Sequence, residues 1–295
     1  MHTIKSWRAL FVREYLEHRI SFLWFPLGIV ALLAIAAVSS LSLRRIQVDS
    51  FLLPEALKVF EIGYLLLLAL WLAYLAVALF FYFGDAFSAD RRNNAIFFWK
   101  SMPLSDLKIL ASKYLSGSLV FPAVIFVIGM VTGLMLYLAI NIASYVLPGF
   151  ALINPMAALA SFVQISIFGV VYYLLTLLWF APFLAWVGGL STVFGRWSLP
   201  LAFVIPGLLA VTENIALFGQ LPRGGYILQY LAYRAEFGFS DEEYQLLVLS
   251  SLPFDAVTFI NRLLAHIDWT QMGIGLVFSA AAIWLASEYR RRRIV

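Results

Sequence analysis

The chain has no cysteine at all. That excludes a disulfide framework, thiolate catalysis and Cys-ligated metal. Charge is scarce: Asp, Glu, Lys and Arg make up 12 % of the 295 residues, against about a quarter in an average soluble domain. Histidine occurs three times, as His2, His18 and His266, with no H-E-x-x-H or other metal-ligand spacing. There is no G-x-x-x-x-G-K-[ST] to cradle nucleotide phosphates and no G-x-S-x-G nucleophile elbow. Internal repeats and low-complexity runs are also missing.

What fills the space is apolar. Hydrophobic residues reach 63 % and aromatics 17 %. A soluble protein of this length must cover its core with polar groups, so an ordinary soluble enzyme, a disordered chain and a collagen-like repeat are excluded. A polytopic membrane protein remains. Crossing a bilayer takes roughly 20 apolar residues, and a helix is the form that satisfies its own backbone there. Residues 20–43, 62–83, 118–140, 162–186 and 270–287 contain no Asp, Glu, Lys or Arg, and 199–218 contains only Glu213. The sequence therefore predicts an all-α membrane protein with six transmembrane helices in one domain, residues 1–295. The alternating ten-residue segments of an outer-membrane barrel do not occur.

Orientation follows from the Lys and Arg in the flanks. With the N-terminus cytoplasmic, the inner segments hold 14 of the 20 basic residues, among them Arg91, Arg92, Lys100, Lys108, Lys113 and Arg290 to Arg293. Both termini are thus expected inside. In residues 1–19, Ile4, Trp7, Phe11 and Tyr15 form a stripe beside Lys5, Arg8, Arg13 and Glu17, which predicts an interfacial amphipathic helix. The cytoplasmic loop 84–117 is expected to hold a short helix from Asp90, stopped by Pro103, and a second helix capped by Ser105. Its Phe97-Phe98-Trp99-Lys100 run reads as an interface belt, which composition alone favours, or as a partner anchor. Asp85 and Asp90 beside Arg91 and Arg92 read as a solvated charge cluster. The outer segment 219–269 has a capping box, Ser240 to Glu243, before YQLLVLSSL, and a stripe of Val257, Ile260, Leu264 and Ile267. These helices are too short to cross and are expected to be re-entrant or to form an outer cap. Glu213 is an interfacial residue or a carboxylate in a possible substrate pathway. Gly129 and Gly133 form a G-x-x-x-G that suits packing within the chain or dimerisation.

Such a domain has no energy source of its own, and its longest inner loop is rich in partner-type residues. That loop, ADRRNNAIFFWKSMPLSDLKILASKYLSG, resembles the loop between spans two and three of ABC transporter permeases of the type-2 exporter class. Asp90-Arg91-Arg92 stands where that family has an acidic/Arg pair, usually opened by Glu. Ile96, Phe97 and Phe98 match its apolar patch, Ser101-Met102-Pro103-Leu104-Ser105 its turn, and Lys113 its final Lys. Residues 188–209, GGLSTVFGRWSLPLAFVIPGLL, look like its connection between spans four and five. The resemblance implies an interfacial N-terminal helix, a cytoplasmic coupling helix and short re-entrant helices before the last span. The ATPase-coupling residues would be Asp90, Arg91, Arg92, Asn94, Phe97, Phe98, Trp99, Lys100, Met102 and Pro103. It also implies a permease without catalytic residues or metal, working with a second permease copy, a pair of ABC ATPase subunits that bind ATP and Mg, and membrane lipids, but no nucleic acid. A bacterial cytoplasmic (inner) membrane is the expected location. The competing readings are a non-transport membrane subunit of an ATPase complex, acting as sensor or scaffold, and a lipid-modifying membrane enzyme.

Overall fold

The computed structural model describes residues 2–42, 56–93, 101, 104–146, 152–217, 225–238 and 252–293, and within these it is helical without a strand. Helix α1 (His2–Arg19) runs through a π-helical turn (Ile20–Trp24) into α2 (Phe25–Ser42). Helix α3 (Ala56–Arg92) is one unbroken rod of 37 residues. Helix α4 (Asp106–Leu115) passes through a second π turn (Ser116–Val120) into α5 (Phe121–Val146). Helix α6 (Pro155–Phe194) ends in a 3₁₀ turn (Gly195–Trp197) that leads into α7 (Ser198–Ala216). Two short helices, α8 (Gly225–Ala235) and α9 (Ala256–His266), precede α10 (Trp269–Arg293).

Five helical stretches are long and apolar enough to cross a membrane: 5–39, 56–92, 106–145, 155–216 and 269–293. The fourth contains both α6 and α7. Gly195 adopts φ 58°, ψ −126°, a conformation open to glycine, and its N–H closes on the Ser191 carbonyl. The chain reverses there: Trp186 donates its indole N–H to the Ala202 carbonyl, so α7 lies back along α6. The outside of the bundle is apolar, with Leu32, Leu70, Leu138 and Val277 each more than half exposed. That is the inverse of a soluble surface and the signature of a lipid-facing one.

The core is built on α3, which packs along α5 and α6, while α6 also packs along α10. Polar side chains stitch these contacts. Tyr173 donates to the Leu68 carbonyl at 2.6 Å, Tyr64 and Ser166 hydroxyls lie 2.9 Å apart, and Trp71 donates to Thr132 at 3.1 Å. The glycine pair is spent inside the chain. A Cβ at Gly129 would sit 2.9 Å from Leu68, and one at Gly133 would overlap the Tyr64 ring. Close approach of α5 to α3 is its structural use.

The two π turns share a cause. Each stands immediately before a Phe-Pro pair, Phe25-Pro26 and Phe121-Pro122. Proline has no N–H to give and its ring crowds the carbonyl four residues back. Widening the preceding turn to the i→i+5 pattern relieves both. The widened turns meet: the rings of Phe22 and Phe121 stack at 3.9 Å, inclined by 2°.

Three expectations change. The helix expected from Asp90 does not start there, because α3 continues nine residues past Phe83 and Asp90 to Arg92 form its last turn. At 1.5 Å per residue α3 is about 55 Å long, well beyond a hydrocarbon core of about 30 Å. Residues 1–19 do not lie apart from the first span, since α1 and α2 are continuous. The stripe on α9 is displaced: Ala256 and Leu263 face inward with Ile267, while Val257 is 63 % exposed, because Leu263 and Ile267 pack against Leu175, Trp179 and Met272. The helix α8 was not anticipated. The capping box and residues 244–251 lie outside the described residues.

Candidate functional site

The site is assembled where α1, the end of α3, α4 and the end of α10 meet, the chain leaving it at Asn93 and returning to it at Leu104. Ser105 caps α4 as expected, its hydroxyl accepting the Lys108 N–H at 3.3 Å. Helix α1 docks on α4 through Leu10 against Ile109, through Lys108 donating to Ser6, and through the Lys108 ammonium over the Trp7 ring at 5.6 Å. The face of α1 that turns inward is Leu10 and Glu14, with Trp7 and Phe11 half-buried beside it.

A buried ionic network holds this corner. Asp90 is 2 % exposed. Its Oδ2 accepts from Arg290 Nη1 at 3.1 Å, and its Oδ1 lies 3.4 Å from Arg13 Nη2 and 3.6 Å from Lys113 Nζ. Lys113, 1 % exposed, has its ammonium 3.0 Å from Glu14 Oε1. Tyr82 donates its hydroxyl toward Glu14 Oε2 at 3.2 Å and the Lys113 carbonyl at 3.0 Å. Arg290 Nε approaches Asp106 Oδ1 at 2.9 Å. Three carboxylates thus face three cations supplied by four helices. An ion in low dielectric costs several kcal/mol unless paired, so each charge fixes the position of the others and of its helix.

This corrects the solvated reading of Asp90. The solvated part is Asp85 with Arg92, a bidentate pair on the surface of α3, whose members are 38 % and 60 % exposed. Arg91 is exposed at the end of α3. Asn94, Phe97, Phe98, Trp99, Lys100, Met102 and Pro103 lie outside the described residues, so of the ten residues named from the resemblance the structure places Asp90, Arg91 and Arg92. Glu14 and Arg290, both central to the network, were missed. Each sits in a run of charges, and no one-dimensional pattern tells which member of such a run turns inward.

The opposite end of the bundle carries a smaller arrangement. Glu61, 1 % exposed, accepts from Ser161 at 2.5 Å, from the Phe254 N–H at 3.0 Å and from Lys58 at 2.9 Å. It ties α3 and α6 to the segment before α9. Glu213 accepts the N–H groups of Tyr226 and Ile227 at 3.1 and 3.0 Å. Its carboxylate thereby caps the first turn of α8, whose orphan donors and dipole favour an anion.

Helix α8 sets Arg234, 2 % exposed, against α6. Arg234 Nη2 donates to the Trp179 carbonyl at 2.7 Å, while the Trp179 indole donates to the Arg234 carbonyl at 2.9 Å. The guanidinium carbon lies 4.1 Å from the Trp179 ring centroid. A Cβ at Gly275 would come within 2.8 Å of Nη2, so bare backbone makes the room. Nη1 finds no hydrogen-bond partner among the described residues. Nearby, Asp268 accepts the Gln271 N–H at 3.0 Å and the Tyr233 hydroxyl at 3.1 Å, and these bonds hold its carboxyl below the usual carboxylate range.

Among the described residues no group of His, Asp and Glu is arranged to hold a metal ion. The network ties four helices together, with Glu14, Asp90 and Asp106 each against at least one cation. No curated protein and no solved structure matches the chain. A family model described as "ABC-2 family transporter protein" matches residues 50–218. That match runs from just before α3 to the end of α7, over more than half of the 295 residues, and by it the chain is a transporter membrane protein of the ABC-2 family.

Proposed function

We propose that the chain is the permease subunit of an ATP-driven ABC exporter, paired with a second permease and with two separate ATPase subunits. In this reading it crosses the membrane six times, α6 and α7 counting as two spans. Both termini are cytoplasmic, and α8 and α9 dip into the bilayer from the outer side as re-entrant helices. Arg234, buried against α6 by a backbone carbonyl and an aromatic ring, supports the last point, since irregular backbone at membrane depth is tolerated where protein buries it.

The observation that carries the proposal is the ionic network that joins the two helix ends flanking the loop 94–103. A loop that receives force from a partner needs a base that does not yield. Here both of its flanks are fixed: the α3 end by Asp90 and the α4 end by Asp106 and Lys113, all three through contacts with Arg290 or Glu14. The network-bearing ends α1 and α4 then join the spans α2 and α5 through the two π turns. Displacement of the loop is thereby passed to α1, α4 and α10 together, with the π turns as the compliant joints. The aromatic run Phe97-Phe98-Trp99 is the anchor of this loop in a cleft of the ATPase, and Glu213 serves the outer end as the cap that holds α8. The chain binds no nucleotide itself.

The test is recovery of the ATPase subunit by Phe97→Ala and Trp99→Ala variants of the full-length permease. Loss of an anchor should cost about 2 kcal/mol or more of association, with coupled ATP hydrolysis falling while the permease still inserts. Undiminished recovery and undiminished coupled hydrolysis in both variants would refute the docking role of this loop.

A further inference from the structure

Between α6 and α10, at the end of the bundle that holds the ionic network, lies a groove of about 850 Å³. Its walls are apolar, with Trp186 and Leu190 on α6 and Phe278, Ala282 and Leu285 on α10. Its floor includes Gly189, and a Cβ built there meets nothing within 4 Å, so the missing side chain leaves open space in the groove itself. Its mouth is basic. Arg292 and Arg293 line it together with Glu288. Glu288 already takes Arg291 at 2.7 Å and Arg292 at 2.5 Å, and Arg293 makes no ion pair among the described residues.

We infer that this groove seats an acyl chain of an anionic phospholipid, with the headgroup phosphate against Arg292 and Arg293. The dimensions agree. From Phe278 to Arg293 the groove follows α10 for 15 residues, about 22 Å at 1.5 Å per residue. One leaflet's hydrocarbon is about 15 Å deep, half of about 30 Å, so a chain lying along the groove brings its headgroup to the arginines. The charge agrees as well. Two arginines line the mouth against one glutamate and leave it positive, and the guanidinium fork matches phosphate geometry. A second copy of the chain is the poorer occupant, because a two-fold contact on this face would set the arginine run of one copy against that of the other. The inference needs only that α6 and α10 cross the membrane; it does not depend on the ATPase-docking role of the loop.

The experiment is native mass spectrometry of the full-length chain, released from mixed vesicles of phosphatidylglycerol and phosphatidylcholine in equal parts. The wild type should retain phosphatidylglycerol in preference to phosphatidylcholine. Arg292→Gln and Arg293→Gln should each lower that preference about five-fold, the effect of one basic residue at a membrane surface. Gly189→Leu fills the groove while leaving every charge in place, and it should abolish retention although the protein elutes and unfolds like the wild type. Equal retention of both lipids by the wild type would overturn the inference. So would full retention by Gly189→Leu, or a Gly189→Leu variant that changes the dimer fraction and leaves lipid retention unaltered.

Discussion

The corner that joins α1, α3, α4 and α10 and the contact of α8 with α6 both bury arginine, and they solve the problem in opposite ways. Arg290 is surrounded by carboxylates, Asp90 at 3.1 Å and Asp106 at 2.9 Å, in a balanced cluster. Arg234 has no carboxylate within ion-pair distance among the described residues; a carbonyl and an indole face hold it. Removing a member of the first arrangement strands other charges, whereas removing Arg234 strands nothing. The corner is therefore a rigid joint whose parts stand or fall together, and α8 is an attachment of graded strength. Even the corner is not saturated, since Arg290 Nη2 has no hydrogen-bond partner among the described residues.

The largest expected effect is at Asp90. Asp90→Ala leaves Arg290 and Lys113 buried with reduced compensation, and breaking such a pair costs about 3–5 kcal/mol. Thermal unfolding of the detergent-solubilised variant should show the loss. The double variant Asp90→Ala with Arg290→Met should recover much of it, because the stranded charge goes too. Additive losses would show that the two residues are not coupled and would end the contrast drawn with Arg234.

Next comes Arg234→Met, expected to cost about 2 kcal/mol. One hydrogen bond from a charged donor is lost, worth about 1.5–3 kcal/mol, with a cation–π contact, while an unpaired N–H is relieved. Hydrogen exchange should accelerate in α8 and leave α1 and α4 unaffected. Acceleration spreading to α1 would mean that the two regions form one unit.

Pro122→Ala should change stability by about 1 kcal/mol or less, since it restores a helix donor but removes the reason for the widened turn. Its signature is functional: α4 and α5 become one stiff rod, and coupled ATP hydrolysis by the assembled transporter should fall at unchanged ATPase recovery. Unchanged hydrolysis would assign the joint elsewhere.

The smallest effect concerns acid. Asp255 caps α9 through Val257 N–H and Thr258, and the hydrogen bond from the Thr258 hydroxyl holds its carboxyl below the usual 3.8. The folded pKa is depressed, so the cap contributes in full above pH 3.8 and is lost as pH falls through the lower folded value. Exchange of the Val257 amide should rise only below pH 3.8, and less in Asp255→Asn, which keeps an acceptor.

Most of the spans were legible in the sequence because lipid imposes a length and a composition that no tertiary contact is needed to enforce. The Ser105 cap was legible because its bond spans three residues. The last turn of α3 was not. Asp90, Arg91 and Arg92 read as the start of a separate short helix, and only Arg13, Lys113 and Arg290, between 23 and 200 residues distant, turn that charge into a reason for α3 to continue. The pairs Phe25-Pro26 and Phe121-Pro122 are plain in the sequence, but proline alone does not say whether a helix kinks, stops or widens. The stack of Phe22 on Phe121 shows the two widened turns packed together.

Composition by itself determined that this is a helical membrane protein with no disulfide, because a two-thirds apolar chain has too little polar surface to face water. The loop motif, a local string, carried the family. The tertiary structure decided which charges are buried and paired and which are solvated. Burial depends on which helices converge, and convergence is a property of chain segments far apart in sequence. Asp85 and Asp90, five residues apart on one helix, point to water and to the core for that reason alone.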